Sequence, residues 1–537
     1  MWTKPPVRGT SYTAPGPPAP ACPVPGYSPV STKQHLVLLT GLLLLAAAAR
    51  ILPLTDNRLH PDEALYARWG LLIATGRDPL LASVPVDKPP LWPYLLAGGF
   101  SLFGNSELAA RLPAFVASLL SVALTYALAC SLWGARDTAI LAAALMAFSP
   151  YSILFAVTAF TDPLLVLWVL AALTFAARDR PGRAGLCLGL ALATKQTALL
   201  FLPLGIGLAF LCKRKQRTTE RLARFILGLA PGVVVLVAWD MLRHAPPSFW
   251  EQSIASYGGL RLAPGEELPT RLAGWAERGA YLLGPPWLTV GLVGLALAAA
   301  FARATPPPIS PQYRASARFE RGKMGERARA AADKLLAAFM LAFLALHVFL
   351  TFNIWDRYLL GLVPVLALLA AHGVMRSVGA RLMTMRNIAV VGLTALLLIP
   401  AWQAAHSQYP IGGDHGAYDG IDQIANRLRH MPWGTVLYDQ ALNWELGYYL
   451  FDGPIYLAWF RSPEHLAEDL RAFRDTPTPR LLIVPAWQPS QPLSDAVAAA
   501  GYRQDPFLIT FRRDGQPSFF VYRLTPQDRT IAGGDTP

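Results

Sequence analysis

At 537 residues, 53% hydrophobic and only 15% charged, the chain lacks the make-up of a string of water-soluble domains and reads as a membrane protein. A formal charge of +13 would suit a nucleic-acid partner if it were gathered on one domain. Much of the Lys and Arg falls instead in short clusters between apolar runs, which points to membrane topology and away from nucleic acid.

Residues 1–33 are dominated by Pro, Ala, Gly, Ser and Thr, cannot bury a core, and are expected to form a disordered cytoplasmic tail. The following run "LVLLTGLLLLAAAA" is read as an uncleaved first span, because so long a polar region rarely precedes a signal peptide. Apolar runs of about 20 residues, enough to cross a hydrocarbon core of ~30 Å, recur from there to about residue 403. They give eleven candidate spans: 34–54, 112–133, 137–157, 160–177, 183–196, 197–212, 222–243, 279–302, 335–352, 356–375 and 387–403. The expected fold is a polytopic α-helical membrane module over 34–403 with a soluble α/β domain over 404–537. Four scattered cysteines, Cys22, Cys130, Cys187 and Cys212, show no metal-ligand spacing.

Short cytoplasmic loops carry the positive excess. Arg178, Arg180 and Arg183 form one cluster, Lys213, Arg214, Lys215 and Arg217 another, and the insert from Arg303 to Lys334 and the linker with Arg376, Arg381 and Arg386 are also basic. With all of these inside, the apolar stretch between the first two clusters must go out and return as two short helices, leaving Lys195 at the external tip. The loop 55–111, the loop 244–278 and the C-terminal domain then face outward, where no nucleotide-sugar is available.

Charges against a membrane are functional candidates by default. The loop 55–111 holds "HPDE", His60 to Glu63, and later "DKPPL", whose prolines fix the backbone around Asp87 and Lys88. Helix capping is the competing reading for Asp62 and Glu63, since Pro61 suits a first helical position. "FTDPLL" sets Asp162 at the outer start of the fourth expected span, Lys195 stands in "ATKQTALLFLP", and Arg357 in "NIWDRYLLGLVP". Lys195 and Arg357 lie on the outer face, where the positive-inside rule does not ask for them. Cations converging with carboxylates at one membrane level suit an anionic lipid head group, a phosphate above all.

These motifs resemble the GT-C membrane glycosyltransferases, specifically the dolichyl-phosphate-mannose protein mannosyltransferase-like branch that includes bacterial aminoarabinose transferases. The resemblance covers roughly residues 34–403 and rests on "PDEALYA", "DKPPL", "TDPLL", "LATKQTALLFLPL" and "DRYLLGLVPVLALLAA" in order. It implies transfer of a sugar, with inversion, from a polyprenyl-phosphate donor to a lipid, glycan or protein acceptor. It further implies Asp62 as catalytic base, with Glu63 beside it, and Asp162 ordering the acceptor or the site. Lys88, Lys195, Arg357 and Arg261 would bind the donor phosphate. Asp87 matches the position where some relatives hold a divalent metal ion, although "SFWEQSIASYGGLRL" lacks the histidine those relatives supply. No "WWDYG"-type oligosaccharyltransferase motif is present.

In the C-terminal domain, "GTVLYD", "PIYLAW", "RLLIVP" and "SFFVYRL" read as strands and "SPEHLAEDLRAF" as a helix. Asp414, His415, Asp419 and Asp422 in "GGDHGAYDGID" are read as turn and cap residues rather than metal ligands. The domain is expected to handle acceptor or act as a structural lid. A lipid or lipid-linked sugar flippase is the rival function. It calls for charges near mid-bilayer and for internal repeats, and the chain shows no repeat.

Overall fold

The computed structural model describes residues 32–211, 218–301, 326–378 and 383–527. Residues 1–31 of the Pro-rich tail, the Lys213–Arg217 cluster, residues 303–325 of the basic insert and Arg381 lie outside the described residues. The protein is an integral membrane protein built of many helices, as an apolar chain must be when every backbone polar group has to be satisfied internally.

Helix α1 (Thr32–Ile51) is followed by α2 (Pro61–Ala74) and α3 (Leu91–Phe103), both inside the stretch read from sequence as a loop. Then come α4 (Glu107–Trp133), α5 (Arg136–Phe148), the short α6 (Pro150–Leu154), α7 (Asp162–Ala177), α8 (Pro181–Thr194), α9 (Leu202–Leu211) and α10 (Thr218–Arg243). The loop expected at 244–278 likewise contains α11 (Phe249–Ser256) and α12 (Leu268–Gly279). The membrane module ends with α13 (Pro286–Phe301), α14 (Glu326–Phe349), α15 (Val363–Val378) and α16 (Met383–Ala405).

Each expected span has a helical counterpart, but among the described residues only six helices are long and apolar enough to cross alone. Counting the pair Arg136–Phe148 and Pro150–Val157, bent by 58°, makes seven. The bend falls at Pro150, which has no N–H to continue the ladder. Helices α7, α8 and α13, of 16, 14 and 16 residues, fall short of a ~30 Å core at ~1.5 Å per residue. The apolar segment Asp356–Val378 is 83% buried, whereas the other five long spans are 44% buried or less, so it forms the bundle's axis. Arg357 stands at its first turn.

Helices α8 and α10 cross through glycines spaced four apart, Gly185 and Gly189 against Gly228 and Gly232. A Cβ at Gly232 would lie 2.2 Å from the Gly189 carbonyl oxygen, and one at Gly185 would lie 2.0 Å from that of Phe225.

The C-terminal domain runs α17 (Ile421–Leu428), β1 (Thr435–Asp439), α18 (Asn443–Tyr449), β2 (Ile455–Trp459), α19 (Pro463–Ala472), β3 (Arg480–Pro485), α20 (Gln491–Ala499), β4 (Tyr502–Phe511) and β5 (Pro517–Pro526). Its five-stranded sheet has the order β2-β1-β3-β5-β4. Strand β1 is parallel to β2 and β3, while β5 is antiparallel to β3 and β4. Strand β3 is buried throughout, which its unbroken apolar run requires. Strand β4 escaped the sequence reading because Arg503, Gln504, Asp505 and Pro506 interrupt any alternation, and the ladder shifts register between Pro506 and Leu508.

This domain grips the segment leading into α2. The Arg513 guanidinium donates to the Asp56 carbonyl and to Asn57 Oδ1 while holding Asp419 at 3.1 Å. Arg58 bridges Glu107 at 3.1 Å and Asp422 at 3.4 Å, and the Tyr449 hydroxyl accepts from the Leu59 N–H and donates to Glu107. Gly232→Leu should lower the melting temperature of the detergent-solubilised protein by the equivalent of about 1–3 kcal/mol of overpacking, whereas Gly291→Leu, with open space around it, should not. Equal melting curves would show that the α8–α10 crossing does not depend on close backbone approach.

Candidate active site

The first turn of α2 sorts its two acids by helical phase. His60 is the N-cap: its Nδ1 accepts from the Asp62 N–H at 3.2 Å, and its own N–H donates to Glu63 Oε2 at 2.9 Å, closing a capping box. Glu63 Oε1 also accepts from the Ala159 N–H at 2.5 Å and lies 3.9 Å from Arg111. Its side chain is 2% exposed, and both oxygens are occupied. Instead of opening to the site beside Asp62, Glu63 thus faces the core and closes the helix cap, in line with the capping reading. Burial pushes its carboxyl up to about 6 against the pull of Arg111 and the two backbone donors.

Asp62, one residue earlier and so about 100° round the helix, is a third exposed. Its Oδ2 accepts from Arg357 Nη1 at 2.5 Å. Burial pushes this carboxyl up, but Arg357, His60 and Lys88 outweigh it and hold the group below its ordinary value.

Two further ion pairs complete the cluster. Lys195, 1% exposed at the C-terminal cap of α8, donates to Asp162 at the start of α7 at 2.6 Å. Lys88 pairs with the adjacent Asp87, and the Asp87 carbonyl is tied to Gln196 Nε2 at 2.7 Å and Ser253 Oγ at 3.1 Å. The proline-fixed loop thus rests on the chain just after Lys195 and on α11. Aromatic rings fill the spaces between charges. Lys88 lies over Tyr66 and Tyr257, Lys195 over Tyr358, and Arg357 over Phe160 and Trp355.

The structure therefore brings together Asp62, Asp87, Lys88, Asp162, Lys195 and Arg357. Arg261 joins none of these pairs: its side chain is exposed and its carbonyl accepts from the Thr351 N–H at 2.9 Å. Sequence reasoning missed the aromatic walls Tyr66, Tyr257 and Tyr358, whose spacing shows no period, and missed Asp356. That carboxylate accepts from the Arg357 N–H and from the Gly412 N–H, both at 2.7 Å, linking the site to the C-terminal domain. Among the described residues no three His, Cys, Asp or Glu converge as metal ligands, and Asp87 is engaged by Lys88. The donor set does not fit a divalent ion.

Chemically, the cluster offers a partly open carboxylate beside three desolvated cations. That suits binding of an anionic oxygen group next to a proton acceptor.

Residues 87–239 match the family described as dolichyl-phosphate-mannose-protein mannosyltransferase. A 244-residue stretch is 28% identical to the undecaprenyl phosphate-alpha-4-amino-4-deoxy-L-arabinose arabinosyl transferase of Pseudomonas aeruginosa LESB58, covering 41% of this chain and 44% of that protein. The enzyme of the same name from Pectobacterium carotovorum is 28% identical over 247 residues, 41% of this chain and 43% of its own. The match thus spans under half the length of these relatives. Among solved structures, ArnT from Cupriavidus metallidurans in the apo state is similar over 91% of this chain and 98% of that one, with a TM-score of 0.63 at 16% identity. The same protein bound to undecaprenyl phosphate gives 0.58 at 15% identity over the same shares. The chain is a polytopic membrane protein whose fold is similar to that of ArnT, and its residues 87–239 match the family described as dolichyl-phosphate-mannose-protein mannosyltransferase.

Proposed function

We propose that this protein is a plasma-membrane glycosyltransferase that moves a sugar from a polyprenyl-phosphate donor to an acceptor on the external face, inverting the anomeric centre. One observation carries the reading: the most open carboxylate of the cluster, Asp62, is ion-paired to Arg357 in a site that also holds Lys88 and Lys195. The names of the relatives and the undecaprenyl phosphate in the Cupriavidus structure support that donor class. So does the topology read from charge, with the N-terminus cytoplasmic and the C-terminal domain outside, because a lipid carries its activated bond across the membrane.

A donor phosphate would draw Arg357, Lys88 and Lys195 onto its oxygens. Asp62 would then lose part of the interaction that depresses its proton affinity and become a stronger base. The acceptor gives its proton to Asp62 and attacks the anomeric carbon. The bond from that carbon to the phosphate oxygen breaks, and its electron pair leaves with the polyprenyl phosphate, whose charge the three cations stabilise. Asp162 keeps Lys195 charged and in place. No step is routed through a metal.

Purified protein supplied with labelled undecaprenyl-phosphate sugars and a membrane extract should transfer label, and Asp62→Asn should lower the rate by about 10²–10⁴-fold. A well-folded Asp62→Asn protein working at the wild-type rate would remove Asp62 as base, and wild type inactive with every such donor would remove the transferase reading. Lys88→Ala should weaken donor binding by the equivalent of about 1.5–3 kcal/mol of charge-assisted hydrogen bonding, read as the donor KM.

Glu63→Gln should keep transfer but lose about 1–3 kcal/mol of stability, because one backbone N–H would face an amide NH2. Since folding raises the Glu63 pKa from 4.5 to about 6, the stability this group contributes is complete below pH 4.5 and falls as pH rises through about 6. The gap between wild type and Glu63→Gln in thermal melts should accordingly narrow from pH 5 to pH 7.

A further inference from the structure

Where the membrane module meets the C-terminal domain, a polar cleft of about 140 Å³ opens that the mechanism above does not use. One wall is the chain entering α4: Asn105, the N-cap Ser106 and Glu107. The facing wall is α17 and its C-terminal cap, where Asp422, Asn426 and Arg429, four and three residues apart, share one helical face. Tyr448 and Tyr449 of α18 complete the lining. Glu107 begins one of the six long spans, so the cleft lies at the membrane boundary. Leu102, Phe103 and Leu108, 78, 62 and 50% exposed, stand on either side of Asn105–Glu107 in the chain and set apolar surface next to it.

The charges of the lining disfavour an anion. Arg58 joins the Glu107 and Asp422 carboxylates at 3.1 and 3.4 Å, and Arg429 donates to Asn426 Oδ1 at 3.3 Å and to the Tyr449 carbonyl at 3.0 Å. A phosphate would meet two carboxylates and cations already engaged. Neutral hydrogen-bonding capacity, by contrast, is left over in both directions. Tyr448 is only 4% exposed, yet its hydroxyl makes no hydrogen bond among the described residues and is left to the cleft that the side chain lines. A buried tyrosine hydroxyl ordinarily has a partner. Asn426 keeps its NH2 to donate, Ser106, whose Oγ accepts from the Ala109 N–H at 3.2 Å, keeps its O–H, and Asp422 keeps Oδ1 to accept. Sugar hydroxyls, each of which gives and takes hydrogen bonds, complement this set.

We propose that the cleft binds the neutral sugar head group of a membrane glycolipid, whose chains lie along Leu102, Phe103 and Leu108. The inference goes beyond the donor site and does not depend on the transferase reading. Tyr449 also accepts the Leu59 N–H at 3.0 Å, so an occupied cleft presses directly on the segment that aims α2.

The test holds the full chain in phosphatidylcholine nanodiscs and titrates monoglucosyl-diacylglycerol, with diacylglycerol, phosphatidylglycerol and soluble methyl glucoside as the other arms, reading bound ligand by native mass spectrometry. Wild type should bind the glucosyl lipid about tenfold or more tightly than any of the other three. Tyr448→Phe, which removes only the hydroxyl, and Asn426→Ala, at an exposed position, should each raise its Kd about three- to tenfold with unchanged affinity for undecaprenyl phosphate.

Equal binding of diacylglycerol, a preference for phosphatidylglycerol, or methyl glucoside binding as tightly as the lipid would each overturn the proposal. So would variants that bind the glucosyl lipid like wild type, or that lose undecaprenyl phosphate in step with it, the mark of a structural role. Wild type that binds the glucosyl lipid but transfers no sugar from any donor would overturn the transferase reading and leave this inference standing.

Discussion

The site depends on the burial of charge in opposite-sign pairs. Lys195 and Asp162 are almost wholly removed from solvent, Lys88 and Arg357 nearly so, and each cation has a carboxylate against it. Breaking such a pair from one side leaves an uncompensated buried charge, a loss of about 3–5 kcal/mol. The partners of two pairs come from different elements: Asp62 from α2 and Arg357 from the turn before α15, Asp162 from the start of α7 and Lys195 from the end of α8. Packing these helices and assembling the charges are therefore one event. The bundle cannot settle with α2 or α8 displaced without stranding an ion.

The C-terminal domain extends the same constraint beyond the membrane module. Residues 54–59 have little regular structure of their own, yet they aim α2. They are held from one side by Arg111, which donates to the carbonyls of Leu54 and Arg58, and from the other by Arg513 and Tyr449. Asp356 works the same way at the other half of the central pair, fixing the Arg357 backbone and receiving the Gly412 N–H. Both members of the Asp62–Arg357 pair are thus buttressed by the C-terminal domain. A lid attached only by a flexible linker would show none of these contacts.

Much of this was legible in the sequence, and the illegible part has physical causes. The apolar runs marked the helices because a bilayer-scale length is a local property, and the proline-flanked acids and outlying cations stood out because charge is costly there. The pairing of Asp62 with Arg357 spans 295 residues and has no local signature. The contrast between Asp62 and Glu63 was hidden for a related reason. Adjacent helical positions differ by about 100°, and which of them meets the core depends on what the helix packs against. Helices α2 and α3 were lost inside a supposed loop because their flanking prolines and charges outweighed a short apolar pattern. The apolar runs read at 160–177 and 183–196 are the helices α7 and α8, but at 16 and 14 residues both are shorter than a ~30 Å core requires at ~1.5 Å per residue.

The balance of the cluster has a consequence for order. With Asp62, Asp87 and Asp162 facing Lys88, Lys195 and Arg357, the site is charge-neutral as it stands, and no cation is idle. On the proposed reading an arriving phosphate must enter by exchange, and the pair it can loosen most readily is the open one, Asp62 with Arg357, since Asp162 and Lys195 are closed off. The exchange raises the proton affinity of Asp62 only when donor is present. Base strength and donor occupancy are then coupled through one guanidinium. An acceptor arriving first would meet a carboxylate held in its weakly basic state, and the protein would have little tendency to activate it without a sugar to receive the attack.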